Sequence, residues 1–163
     1  YQYDPKAIPR ILKMFEEDKA DVVYGSRTYS KMSALKGGMP VWKIFGNSVL
    51  NIMTNLVCGT KLTDVPTGYI SYKREVLETI PFMRNSNGWT FDEEAIIQAS
   101  AFGFRLKEIL ILTRYEKDSS SMQFAPSVRY GWSIFMSLVR FKLHKWGIKE
   151  YYLYRGIKLK RIG

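Results

Sequence analysis

Apolar residues in this chain recur with two periods, and those periods lay out an alternating α/β order. Ile8, Ile11, Leu12 and Phe15 keep helical spacing behind Asp4-Pro5, a cap followed by proline, so residues 5–17 are predicted to form a first helix. Asp-Val-Val-Tyr-Gly at 21–25 is short and β-branched and follows directly, as a strand buried on both faces would. Residues 28–40, rich in Ser, Gly and Lys, read as a loop. From 41 to 57, Ile44, Phe45, Val49, Ile52, Met53 and Leu56 predict a helix whose apolar side faces the core. Lys43, Asn47, Asn51 and Asn55 repeat every fourth residue on its other face, an amide stripe suited to line a polar cleft.

Further on, residues 61–66 read as a turn, 69–73 as a strand, 74–80 as a short helix and 85–88 as a loop. Residues 91–102 are helical by pattern, whereas 105–115 alternate Leu106, Ile109 and Ile111 with charged neighbours like a strand. A serine run at 119–121 is flexible by composition. The last third carries a different pattern. Trp132, Phe135, Val139, Leu143 and Trp146 step by three or four residues up to Gly147, with Arg140, Lys142, Lys145 and Lys149 along the border.

Charge sharpens this picture. The net charge is +10, and residues 126–163 hold nine basic side chains against one acid, Glu150. A basic helix edged with tryptophan suits the headgroup region of an anionic membrane, with phosphates outside and rings at the boundary. Nucleic-acid binding needs basic and aromatic residues interleaved over a surface; here they concentrate on one helix, so no nucleic-acid partner is expected. A non-catalytic module binding anionic lipid or nucleic acid is the alternative that charge alone allows. With 163 residues the chain suffices for one ordinary domain. No run approaches the roughly 18 apolar residues of a membrane span. Cys58 is the only cysteine, which excludes an intrachain disulfide, and His144 the only histidine, so no zinc cluster is expected.

Several short strings share one resemblance. They are Leu-Thr-Asp-Val-Pro-Thr-Gly-Tyr-Ile-Ser-Tyr at 62–72 and Gly-Trp-Thr-Phe-Asp-Glu-Glu at 88–94, with Tyr-Gln-Tyr-Asp-Pro at 1–5, Ala-Asp-Val-Val-Tyr-Gly-Ser-Arg at 20–27, Gly46-Asn47 and Gly103-Phe104-Arg105. In this order they resemble the inverting family 2 glycosyltransferases of the polyprenyl-phosphate type, dolichyl-phosphate mannose synthases among them. Each string is weak alone; in register across nearly the whole chain they are specific. The family's Asp-x-Asp metal motif is absent, and by the match its second aspartate would sit one residue before Tyr1.

The resemblance implies an α/β fold, the C-terminal, acceptor-side half of a GT-A nucleotide-diphospho-sugar transferase spanning residues 1–122, followed by a basic amphipathic segment at 123–163. Such a half would leave a strand edge uncovered, so marginal stability or self-association is expected, as is catalytic inertness in isolation. The implied reaction is inverting transfer of one sugar from a nucleotide-sugar to a polyprenyl phosphate, peripheral to the cytoplasmic face of a membrane. A divalent cation, Mn or Mg, would be held mainly by the missing motif, with Gln2 contributing through its amide oxygen. Arg27 and Lys43 would bind the acceptor phosphate, the arginine with two parallel donors and the lysine as a point charge. Asp64 and Glu94 are the candidate catalytic acids. Asn47, Thr67, Gly68, Tyr69, Trp89 and Asp92 would line the acceptor or sugar pocket. A phosphate oxygen is already ionised near neutral pH and needs no strong base; were the acceptor a sugar or lipid hydroxyl in polysaccharide or glycolipid synthesis, one of Asp92, Glu93 and Glu94 would have to take its proton.

Overall fold

A computed structural model describes residues 4–27, 40–111 and 124–156. Gln2, the loop expected at 28–40 apart from Pro40, the serine run and the last seven residues lie outside them. The Asp4 carboxylate accepts from the Lys6 amide at 2.9 Å, opening a single 3-10 turn, Pro5–Ala7, that runs into α1, Ile8–Glu16. Strand β1, Val22–Ser26, is buried throughout and lies at the centre of a mixed three-stranded sheet. Strand β2, Ile70–Tyr72, pairs with it antiparallel, opposing Val23 to Ser71. Strand β3, Leu106–Leu110, pairs parallel, from Val22 opposite Leu106 to Ser26 opposite Leu110.

Why β1 is apolar without alternation is visible in its two faces. Val23 meets Ala7 and Ile11 on the α1 side, while Val22 and Tyr24 pack against Val76, Ala95, Ile96 and Ala99 on the other. Those partners come from α3, Arg74–Thr79, and α4, Phe91–Ala101. A strand covered on both sides gains apolar contact at every residue. Gly25 is required where Tyr69 and Ile111 close on the strand, since a Cβ there would lie 2.6 Å from the tyrosine ring.

The expected helix at 41–57 is present as α2, Val41–Cys58, ended by Gly59 at φ 70°. Its facing departs from expectation for four of the six apolar residues, while Ile44 and Met53 are half-buried. Phe45, Val49, Ile52 and Leu56 are exposed, Phe45 and Leu56 by 71% and 76%, and Thr54 is the one fully buried residue of the helix. The reason is competition for that helix. Asn51 and Asn55 hydrogen-bond the backbone at residues 62–65, and Leu50, Met53, Val57 and Cys58 border the core of a third layer, leaving the remaining apolar side outside. That layer is α5, Phe124–Lys145, which contributes Ile134, Leu138 and Phe141 to a cluster with Ile97 and Tyr154. Trp132 and Phe135 lie on its exposed side and Trp146, just past its end, is exposed too, so the stripe's aromatic rings are not what packs. Gly147, at φ 71°, follows the helix, and a 3-10 turn, Tyr152–Tyr154, returns to seat Tyr154, whose hydroxyl donates to the Ser137 carbonyl at 3.2 Å. His144 accepts the Tyr151 amide on Nδ1 at 3.2 Å, an interfacial structural contact.

Candidate functional site

Open α/β sheets present ligands beyond the carboxyl ends of their strands, and Arg27 stands there, directly after β1. Its side chain is clasped by Asp64. The Arg27 amide and Nε donate to Asp64 Oδ2 at 2.9 and 2.8 Å, Nη2 donates to Oδ1 at 2.9 Å, and Nη2 also reaches the Pro66 carbonyl at 2.7 Å. Asp64 is buried and the arginine nearly so. A buried carboxylate forked by guanidinium is a rigid unit, and removing either member strands a charge at several kcal/mol.

Lys43, half-buried near the start of α2, lies close to that guanidinium. Burial first, and then the positive charge of Arg27, lowers the pKa of its ammonium. Asn47, one turn further along α2, is half-buried on the same face. Tyr130 of α5 was not anticipated from sequence. Burial raises its hydroxyl pKa, with the charges of Glu93, Asp92 and Asp64 acting in the same direction and Arg27 opposing.

The acids of α4 are separated by the helix that carries them. Asp92 is half-buried, and burial raises its pKa. Glu93 is 1% exposed; its Oε1 accepts from the Thr54 hydroxyl at 2.6 Å while Oε2 finds no partner among the described residues. Burial pushes its carboxyl up to about 7, with Thr54 opposing and Asp92 assisting. Glu94 turns elsewhere, accepting from the Ser86 amide at 2.7 Å with the Ser137 hydroxyl at 3.5 Å. The structure therefore clasps Arg27 to Asp64, leaves Lys43 near enough to feel the guanidinium charge, seats Glu93 against Thr54, and commits Glu94 to the 85–88 loop.

Thr67 is buried, donating its hydroxyl to the Gly25 carbonyl at 2.8 Å, and it ties the turn to β1. Tyr69 packs beside Gly25, Gly68 is exposed, and Trp89 stands 77% exposed on its loop. Another residue missed by sequence reading is Glu108 on β3, whose carboxylate reaches Thr63 and the amide of Asp64. Its signal was a charge in an otherwise alternating strand. Among the described residues no three His, Cys, Asp or Glu side chains converge as a metal site, and Gln2 lies outside them.

Comparison with known proteins gives distant homology. A protein of Methanocaldococcus jannaschii called uncharacterized is 32% identical over 142 residues, covering 87% of this chain and 57% of its own length. The low-salt glycan biosynthesis hexosyltransferase Agl6 of Haloferax volcanii is 28% identical over 131 residues, 80% of this chain and 30% of its own. A second uncharacterized M. jannaschii protein is 26% identical, over 74% of this chain and 51% of its own length. The chain spans about half the length of the relatives from M. jannaschii and less than a third of Agl6. No protein-family model matches the chain, and no solved structure does.

Proposed function

We propose that this chain supplies the acceptor side of an inverting family 2 glycosyltransferase that moves one hexose from a nucleotide-sugar to a polyprenyl phosphate at a membrane surface. The observation that carries the reading is Arg27, locked by Asp64 at the end of β1, with Lys43 alongside. Similarity to a hexosyltransferase supports the transfer chemistry. In this reading an anionic phosphate oxygen, steered by the two cations, attacks the anomeric carbon from behind, and the bond to the nucleotide diphosphate breaks with that diphosphate as leaving group. No base is required, and Asp64 serves by holding Arg27 in place. The divalent cation that neutralises the departing diphosphate would be held by residues outside those described.

The exposed apolar face supports a membrane setting. Phe45, Val49, Ile52 and Leu56 are exposed on α2, and Trp132 and Phe135 on α5, which packs against it and also carries Arg129, Arg140 and Lys142. No described helix is long and apolar enough to cross a membrane. Asp92 favours a second reading, with a hydroxyl acceptor, because burial raises its pKa toward that of a general base. Glu93 and Glu94 serve that reading poorly, since both are buried.

The test is transfer from a panel of radiolabelled nucleotide-sugars to polyprenyl phosphate and to hydroxyl acceptors, using the full-length gene product with Mn or Mg. Arg27→Ala should cost roughly 10²–10³-fold in kcat/KM toward the lipid phosphate, the scale of losing an oriented charge-stabilising donor. Labelling of a hydroxyl acceptor alone, abolished by Asp92→Asn and spared by Arg27→Ala, would overturn the phosphate reading.

A further inference from the structure

The turn that carries Asp64 has an unusual construction. Four consecutive backbone amides, from Leu62 to Val65, are each satisfied by a side chain of another element. Asn55 Oδ1 accepts from Leu62 N at 2.9 Å, and Asn51 Oδ1 from Val65 N at 2.9 Å. Between them, Glu108 Oε1 accepts from Thr63 N at 3.0 Å and Asp64 N at 3.1 Å, while Oε2 takes Thr63 N at 3.1 Å and the Thr63 hydroxyl at 2.9 Å. The same asparagines donate back, Asn55 Nδ2 to the Leu62 carbonyl at 2.8 Å and Asn51 Nδ2 to that of Thr63. The conformation of the turn is imposed from α2 and β3.

We propose that Glu108, with Asn51 and Asn55, is the positioning apparatus of the acceptor site: it fixes the turn so that Asp64 presents both oxygens to Arg27, and so sets where Arg27 meets phosphate. The consequence for catalysis rests on the glycosyltransferase reading above. The geometry of the clamp does not. Glutamate suits its place because four donor contacts converge on two oxygens, and an ionised carboxylate is acceptor-only on both. Glutamine would turn one amino group toward donors, and aspartate would fall short by about one methylene. The pairing of Asn51 and Asn55 with this turn is explained at once, since a side-chain amide offers donor and acceptor together to a peptide's carbonyl and amide. A misplacement of about 1 Å in such a site costs roughly 100-fold in rate.

The test compares wild type with Glu108→Gln by three readouts: amide hydrogen exchange at Thr63 and Asp64, the Arg27 Nε–H resonance, and, in the full-length protein, KM for polyprenyl phosphate against KM for the nucleotide-sugar. Circular dichroism confirms folding. The expected result is exchange roughly 10–100-fold faster at both amides, a displaced Arg27 resonance, and a raised acceptor KM with the donor KM unchanged. Should Glu108→Gln not fold, Asn51→Asp, which keeps the acceptor for Val65 and loses the donor to Thr63, is read the same way. A folded variant with wild-type exchange, Arg27 resonance and acceptor KM, altered only in Tm, would overturn the proposal. Displaced resonances in a full-length protein that transfers no sugar would sustain the clamp and overturn the function assigned to it.

Discussion

Helices α2 and α4 make opposite uses of their side chains. The first, with the clearer apolar stripe, turns most of that stripe outward; the second buries seven consecutive residues, Glu93 to Ala99, two of them acids and one a glutamine. The difference teaches that apolar periodicity reports which residues lie together on a helix, and says nothing of which side the rest of the protein will claim. Helix α4 sits between the sheet and α5, so every side is claimed: Ile96 by β1, Ile97 by α5, and Gln98 by Asn85 Oδ1 at 2.7 Å and the Leu153 carbonyl at 3.1 Å. Helix α2 lies at the margin. One side binds a turn through amides, a second touches α5, and the third meets the exterior.

The comparison breaks most readily at Ile97. Replacing this fully buried side chain by alanine should cost about 2–5 kcal/mol of unfolding free energy in denaturant titration, because both the transfer energy and the residual cavity count against the fold. A loss below about 1 kcal/mol would mean that α4 is not sandwiched.

Glu93 offers a pH test of the same helix. Its folded-state pKa of about 7 lies above the unfolded value, so the native state binds the extra proton and is favoured at low pH. Stability should fall as pH rises from about 4.5 through 7, by on the order of 3 kcal/mol at full ionisation. Asp92, raised by its own burial, contributes with the same sign. Glu93→Gln keeps an acceptor for Thr54 and should flatten that slope, gaining on wild type at pH 8 and not at pH 5. Parallel curves for the two proteins in thermal melts would remove the ionisable burial from the account.

On the outward side of α2, Phe45→Ala combined with Leu56→Ala should weaken binding to vesicles containing anionic lipid by roughly tenfold or more, as loss of apolar area from an interfacial face predicts. Co-sedimentation measures it, and an unchanged partition would detach this face from membranes. The smallest effect closes the comparison: Leu56→Ala alone should alter unfolding free energy by no more than about 0.5 kcal/mol, as at an exposed site. A larger loss would show that something covers α2 in solution.

Much of the fold was legible along the chain. Asp4-Pro5 announced α1, the run at 21–25 announced a strand buried on both faces, and the bounds of α2 and α4 fell within one residue of the pattern. These are local signals, written in capping chemistry and side-chain period. At the site, Arg27 and Asp64 were each singled out, but their mutual clasp was not, because 37 residues separate them and no spacing rule links a strand end to a distant turn. Glu108 was passed over for the same reason. Its partners, Thr63 and Asp64, lie 45 and 44 residues away. The amide stripe was assigned to a cleft, whereas its second half, Asn51 and Asn55, grips the backbone of the 62–65 turn.

By itself the sequence determined the order of helices and strands, the basic aromatic character of the last third, and the residue types available for phosphate and sugar chemistry. All of these follow from interactions among near neighbours, which periodicity and composition record directly. Tertiary structure alone decided that α2 exposes its apolar side, that Glu93 is entombed and Glu94 diverted, and that three side chains from two elements hold the turn beneath Arg27. Each of those outcomes was a competition between distant partners for one surface, and the winner depends on which groups could be satisfied together once water was excluded.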